Sequence, residues 1–426
     1  MSQRLELSAL CVVLAVEACR ALAQEPALLT IEQAVAEAAR NNPALLAERL
    51  GIPVAETSLI TAGLRPNPVV SYSIDHLDWL GTGYSEANGA GPAETALRID
   101  VPIERGGKRE FRLGTAGFGK KIAEARLADS MRKLRLDVTL ACIDLMEAKA
   151  KLALANDNLQ SLQRIVQLNE TRLQAGAIAP VELTRSRVAM LQFRAGVKTA
   201  ELALATARTK LQTLLGRKSG TGSIDVAGEM KATPPSQPLD LERIQATALA
   251  ARPDLQAVRI EQARSQADLR LQIAQGKIDY TVGMEYRRQQ GINGRGNSLG
   301  FFFSAPLPVF SRNQGEIARV RAEQDQIRKN LAALQSQVSG EVTTAYQEFE
   351  SARQLMGEIE RDLLRPSEEA RDTTAYVYRA GASSLMDVLD AQRAFNETMS
   401  AYYDAQANYR RAAVRLSSVI GQEDLP

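Results

Sequence analysis

Residues 378–393 read Y-R-A-G-A-S-S-L-M-D-V-L-D-A-Q-R, and residues 173–188 read L-Q-A-G-A-I-A-P-V-E-L-T-R-S-R-V. Ala-Gly-Ala stands at 175–177 and again at 380–382, and a carboxylate follows six residues after each Gly, Glu182 after Gly176 and Asp387 after Gly381. Each copy reads as a turn between two helices, with an acid at the same place. The likeness extends outward. L-T-I-E-Q-A-V-A-E-A-A-R-N-N-P-A-L (29–45) matches L-D-L-E-R-I-Q-A-T-A-L-A-A-R-P-D-L (239–255), with Glu32 over Glu242 and Pro43 over Pro253. D-V-P-I-E-R-G-G-K-R-E (100–110) loosely matches P-L-P-V-F-S-R-N-Q-G-E (306–316). The order is the same in both halves, so the chain reads as an internal duplication. The first repeat is expected over 24–215 and the second over 239–421. A Gly-, Pro-, Ser- and Thr-rich linker at 216–238 separates them, and a short tail follows at 422–426.

Within each half a helix is expected near Ile31 or Leu241, and Pro43 or Pro253 marks a break or a fresh first turn. Two strand-like stretches follow, then a long helix, the Ala-Gly turn and another long helix, giving helical hairpins at 108–215 and 313–420. Met131, Val138, Leu145, Leu152, Leu159, Val166 and Leu173 fall every seventh residue, beside a companion row of Leu127, Leu134, Ala141, Ala148, Ala155 and Leu162. Leu183 to Leu211 and Val388 to Leu416 keep the same step. A sustained seven-residue period holds one seam against a partner helix. No Pro interrupts 109–179, so this helix is expected to run on the order of 100 Å at 1.5 Å per residue.

The strands have period two. Val70, Tyr72 and Ile74 alternate with Ser71, Ser73 and Asp75. Leu97, Ile99 and Val101 alternate with Ala96, Arg98 and Asp100. Tyr280, Val282, Met284 and Tyr286 alternate with Thr281, Gly283, Glu285 and Arg287. Leu299, Phe301 and Phe303 alternate with Ser298, Gly300 and Phe302. Strands are expected at about 68–78, 95–103, 279–288 and 297–309, joined in pairs by turn-rich loops at 81–92 and 291–296. Each is roughly the length a tilted membrane strand needs. Four strands cannot close a barrel, and an open sheet edge cannot sit in lipid. Either the strands form a small sheet in water, or several chains pool them.

Composition narrows the function. The 426 residues are 45% hydrophobic, 24% charged and only 5% aromatic, with a formal charge of +2. That mix suits long helices packed on small and aliphatic side chains, and it lacks the clustered cations of a nucleic-acid footprint. The first 23 residues read as a secretory signal: Arg4, an apolar core at 9–16, and Ala21-Leu22-Ala23 as the cleavage site. A rival reading puts a lipid on Cys19. That apolar core falls far short of a membrane-spanning helix. Of the three cysteines, Cys11 and Cys19 lie in this segment, and Cys142 reads as a small buried hydrophobe. His76 is the only histidine. It excludes most Ser-His and Cys-His arrangements, and it is a weak metal ligand by itself, since a selective zinc, cobalt or nickel site needs several converging imidazoles or thiolates. Gly106-Gly107-Lys108 lacks the spacing of a phosphate loop and reads as a strand-to-helix joint, as Asn313-Gln314-Gly315 does in the second half. No cofactor motif and no enzyme activity are expected.

These duplicated halves, paired strands, long helices and the Y-R-A-G-A-S-S-L-M-D-V-L-D-A-Q hairpin together resemble the outer membrane factor family, the TolC-like channels of tripartite efflux systems. The resemblance covers nearly the whole mature chain. It implies a mostly α fold with a small β part, in which a homotrimer pools a twelve-stranded outer-membrane β-barrel that continues into a twelve-helix coiled-coil tunnel across the periplasm. It also implies partners: a periplasmic adaptor, an inner-membrane resistance-nodulation-division pump, and outer-membrane lipid. The compact loops and the N-P-A-L stretch at 42–45 look most like the heavy-metal branch, which exports cobalt, zinc, cadmium, nickel or copper. Carried onto these residues, Gly176 and Gly381 would turn the hairpins at the periplasmic tip, and Asp387 and Asp390 would form the acidic constriction. Tyr378, Glu182 and Arg185 are the candidates for the latch that holds the mouth shut. Arg185 stands where the first half would repeat Asp390, and Ser383 where some members carry a basic gate residue, so the closing network here differs in detail. The alternatives are a duct for drugs or for type I protein secretion, and a periplasmic coiled-coil adaptor with no pore.

Overall fold

The computed structural model describes residues 27–77, 93–218, 224–228, 239–291 and 294–422. The expected signal segment with Cys11 and Cys19, the loop at 81–92, most of the 216–238 linker and all of the tail but Gln422 lie outside the described residues. In chain order the elements are β1 (Ala27–Leu29), α1 (Ile31–Asn41), α2 (Pro43–Arg49), α3 (Gly51–Gly63), β2 (Val69–Asp75), β3 (Glu94–Ile103), α4 (Lys108–Gln174) and α5 (Pro180–Leu214). The second half continues with β4 (Ile224–Val226), α6 (Leu241–Ala251), α7 (Pro253–Gln275), β5 (Tyr280–Gly291), β6 (Gly294–Ser304), α8 (Gln314–Asp362), α9 (Leu364–Arg379) and α10 (Leu385–Ile420). They fall into two compact units. One comprises 1–48, 127–253 and 335–426, and the other comprises 49–126 and 254–334.

The first unit is helical. Thr30 opens α1 with a capping box: its hydroxyl accepts from the Gln33 N–H, and the Gln33 side chain accepts from the Thr30 N–H, so two orphan donors of the first turn are satisfied. The side chain of Asp240 caps α6 at the matching place. The heptad rows are the core. Val138, Ala141, Leu145, Leu204 and Leu211 are buried with Ala34, Val35 and Ala38 of α1 and with Ile224 of β4. β4 pairs in parallel with β1, Leu28 opposite Asp225. In the second half Val338, Val342 and Phe349 of α8 and Tyr409, Leu416 and Ile420 of α10 are buried, and the rings of Phe349 and Tyr409 pack at 5.4 Å.

α4 is unbroken over 67 residues, and no Pro interrupts it. The second hairpin departs from the expected continuous helix. The chain breaks at Leu363, between α8 and α9. Pro366 explains the break: it has no N–H to offer the carbonyl four residues back, and its ring crowds that turn.

The second unit carries a four-stranded antiparallel sheet in the order β2-β3-β5-β6. Its register aligns Val70, Ile99, Met284 and Phe301 in one row, and Tyr72, Leu97, Tyr286 and Leu299 in the next. All eight side chains are exposed. The opposite face aligns Ser71, Arg98, Glu285 and Gly300, and then Val69, Asp100, Gly283 and Phe302. The sheet is therefore apolar on one face and largely polar on the other, with β2 and β6 as open edges. The joint into α4 is the turn at Gly106 and Gly107. The Lys108 ammonium, buried there, donates to the Lys277 carbonyl at 2.9 Å and to Asp279 at 2.6 Å, which ties the start of α4 to the segment between α7 and β5. Asn313, with φ of 62°, makes the matching joint ahead of α8. No helix among the described residues is long and apolar enough to cross a membrane.

Candidate functional site

The two Ala-Gly turns are built alike. Gly176 and Gly381 have φ of 70° and 84°, the left-handed conformation that ends helices and that glycine adopts without a Cβ penalty. In the first turn the N–H of Gly176 donates to Leu173 and that of Ala177 to Arg172. In the second the N–H of Gly381 donates to Tyr378 and that of Ala382 to Val377. Each pair is a Schellman cap, so the last carbonyls of α4 and α9 are satisfied by the turn itself.

After each turn the next helix starts by a different device. Pro180 begins α5 with its φ already set for a helix. Ser384 begins α10 with a capping box: its hydroxyl accepts from the Asp387 N–H at 3.2 Å, while Asp387 Oδ2 accepts from the Ser384 N–H at 2.9 Å and from the Ser383 hydroxyl at 3.0 Å. The backbone hydrogen bond from Ser384 is the largest of the effects holding the Asp387 carboxyl below its ordinary range, and the two serine hydroxyls add to it. Asp387 is thus an exposed, charged group held in place by its own helix start. Asp390 lies one turn on, exposed, with Arg393 at 3.5 Å.

Tyr378 closes the other side of the turn. It is 3% exposed and packs with Leu162, Ala189, Leu385, Val388 and Leu389. Its hydroxyl donates to Oδ1 of Asn169 at 2.6 Å. Arg172 lies over the Tyr378 ring at 5.0 Å and donates through Nη2 to the carbonyls of Tyr378 and Arg379, each at 3.0 Å. A cation on the last carbonyls of a helix also opposes its dipole favourably. α4 and α9 are therefore clamped by three hydrogen bonds and a stacked guanidinium.

The structure pairs Tyr378 with Asn169, not with Glu182. Glu182 sits in the first turn of α5 and Arg185 is exposed on the next. The ion pair at this end of α5 is Arg187 with Glu170, at 2.7 Å. Asn169 and Arg172 escaped the sequence reading. One signal could have found Asn169: it is the next step, seven residues on, after Leu162 in the companion row, and it is fully buried. Arg172 has no such pattern. Farther along the same seam, the Gln392 amide donates to Asn158 at 2.7 Å, and Asn158 donates to Asn396 at 2.5 Å. His76 follows β2 in the left-handed conformation, with Nδ1 at 4.0 Å from Glu94. Among the described residues no three His, Cys, Asp or Glu side chains gather as a metal site would require.

The family model described as "Outer membrane efflux protein" matches residues 34–217 and 245–422. The chain is 25% identical over 396 residues to the "Cobalt-zinc-cadmium resistance protein CzcC" of Cupriavidus metallidurans, covering 92% of this chain and 90% of that one. It is 23% identical to the "Pyoverdine export outer membrane protein OpmQ" of Pseudomonas putida, covering 93% and 87%. In three dimensions it superposes on the CusC channel with a TM-score of 0.74 at 18% identity, covering 93% of each chain. The matched family is one of outer-membrane efflux channels, so the pore-free adaptor reading falls. With both halves matched in order, the chain belongs to the outer membrane efflux protein family.

Proposed function

We propose that the chain is the exit duct of a tripartite efflux system that moves divalent heavy-metal cations, cobalt, zinc, cadmium or nickel, out of the cell. One observation carries the duct: a sheet with an exposed apolar face and two open edges. Unpaired backbone in hydrocarbon costs several kcal/mol per group, so the edges demand partners. Three copies supply twelve strands, enough for a closed barrel. The apolar face then meets lipid and the polar face lines the bore. Family members are homotrimeric channels that work with an adaptor and an inner-membrane pump, and the same partners are proposed here.

At the tip, Asp387 and Asp390 from three chains would form rings of carboxylate that attract cations and repel anions. The clamp of Tyr378, Asn169 and Arg172 would hold the mouth closed until a partner supplies replacement contacts. The metal reading is supported by the likeness to the cobalt-zinc-cadmium resistance protein. On this reading the pump and adaptor choose the metal. The likeness to the pyoverdine exporter favours a second reading, a duct for small organic molecules.

The test is deletion of the gene, followed by survival on cobalt, nickel, zinc and cadmium against survival on dyes and detergents. Loss of metal tolerance alone supports the first reading. Unchanged metal tolerance with new dye sensitivity moves the protein to the second.

A further inference from the structure

On the polar face of the sheet, three large side chains lie down on two glycines. Arg98 of β3 donates to Asp100 Oδ1, two residues along the same strand, through Nε at 3.0 Å and Nη2 at 2.8 Å. Its guanidinium lies over the ring of Phe302 of β6 at 4.1 Å. Asp100 stands directly opposite Gly283, and Gly283 opposite Phe302. A Cβ on Gly283 would come within 2.2 Å of Asp100 Oδ1, and a Cβ on Gly300 within 3.2 Å of the Phe302 ring. The carboxylate occupies the space that a side chain at 283 would take, and the ring leans across 300. Glycine in a strand weakens it and marks a close approach. Here it lets an arginine, an aspartate and a phenylalanine lie flat.

We propose that Gly283 and Gly300 are seats that hold Asp100, Arg98 and Phe302 against the inner wall of the duct, so that the bore stays wide and the guanidinium stays out of the path of a passing cation. The proposal rests on the exit-duct reading, which makes the polar face the lumen. The row lies near the helix-joined end of the sheet, three residues before β3 ends at Ile103. An arginine released there would stand, in three copies, across the way from barrel to tunnel. A positive ring repels cations. Asp100 is the tether that prevents it, and Gly283 is the space that lets the tether work.

The test uses the full-length channel in lipid vesicles and the Gly283→Ala variant, which changes no charge. An arginine-selective, water-soluble dicarbonyl is applied, and modification of Arg98 is followed by peptide mass spectrometry. Arg98 is expected to react roughly 2- to 5-fold faster in Gly283→Ala, the gain that follows from releasing one partly buried ion pair at the sheet surface. In bilayers Gly283→Ala lowers cation-over-anion preference, and it has no such effect when Arg98 is already Ala. Equal labelling rates, or the same loss of preference in the Arg98→Ala background, overturn the seating role and leave the duct intact. Should the wild type conduct no ions and leave Arg98 untouched by a reagent in water, the polar face is not a lumen, and both readings fall. If Gly283→Ala does not assemble, Asp100→Asn releases the same guanidinium without filling the seat, and its labelling rate decides.

Discussion

The Tyr378 hydroxyl donates to the Asn169 side-chain oxygen at 2.6 Å, joining α9 to α4 inside a shell of leucine and valine side chains. Asn169 is fully buried, and its Nδ2 has no hydrogen-bond partner among the described residues. Tyr378→Phe leaves the Asn169 oxygen unsatisfied as well, which costs about 1–3 kcal/mol. The expected outcome is a looser closed state, read as higher conductance than wild type in a bilayer. A Tyr378→Phe, Asn169→Leu double variant removes both polar partners and is expected to be closer to wild type in stability, because nothing polar is left buried. A conductance no higher than wild type in Tyr378→Phe removes the hydroxyl from the latch.

Charge at the proposed mouth is expected to survive acid. Asp387 has its carboxyl lowered from 3.8, first by the backbone hydrogen bond from Ser384 and then by the two serine hydroxyls. A lowered folded-state value means that the capping contribution is present above the unfolded value and is lost as pH falls through the folded one. In an Asp390→Asn background the decline of the remaining cation preference with acid should have its midpoint below 3.8. Reversal potentials across a salt gradient measure this, and a decline centred near pH 5 would contradict it.

The two turns offer a matched pair of substitutions. An added Cβ at Gly176 or Gly381 meets nothing within 4 Å, so the penalty of alanine is backbone conformation alone. Each of Gly176→Ala and Gly381→Ala is expected to cost about 1–2 kcal/mol, the ordinary penalty of a left-handed residue with a side chain. Denaturant unfolding of the purified protein gives the values. A neutral result at both positions would show that the turns relax out of the left-handed state.

Cys142 is fully buried in α4, and burial pushes its thiol up to about 12. A maleimide reagent at neutral pH is expected to leave it untouched in the native protein and to label it in urea. The raised value also has a sign. The neutral thiol is favoured in the fold, so stability from this group is complete below 9.0 and declines as pH rises from there toward 12. Rapid labelling of the native chain would place Cys142 at a surface instead.

Much of this architecture is legible in local pattern. The step of seven from Val138 to Leu145, and from Leu204 to Leu211, names residues that are buried, because a helix returns to the same face at that interval. The step of two in Val70, Tyr72 and Ile74, and in Leu97, Ile99 and Val101, names one face of each strand, because strand side chains alternate. The glycines of the Ala-Gly turns are visible because only their residue type suits the backbone there. The duplicated order of turns and long segments follows from the same local rules, repeated.

Contacts between distant segments needed the tertiary structure. Leu28 lies beside Asp225, Arg172 caps a helix that ends two hundred residues later, and Lys108 binds Asp279. None of these partners shares a period or a motif with the other. The sequence places Tyr378 just before the Ala-Gly turn, but its partner was not readable, since Asn169 and Glu182 both offer an acceptor and only packing decides which one the hydroxyl reaches. Phe302 sat in the polar half of its strand's alternation, and only the register shows that a glycine gives it room to lie down. Backbone preference acts over a few residues and is written in sequence. The pairing of side chains across the fold depends on where whole elements come to rest, and that is settled by all their contacts together.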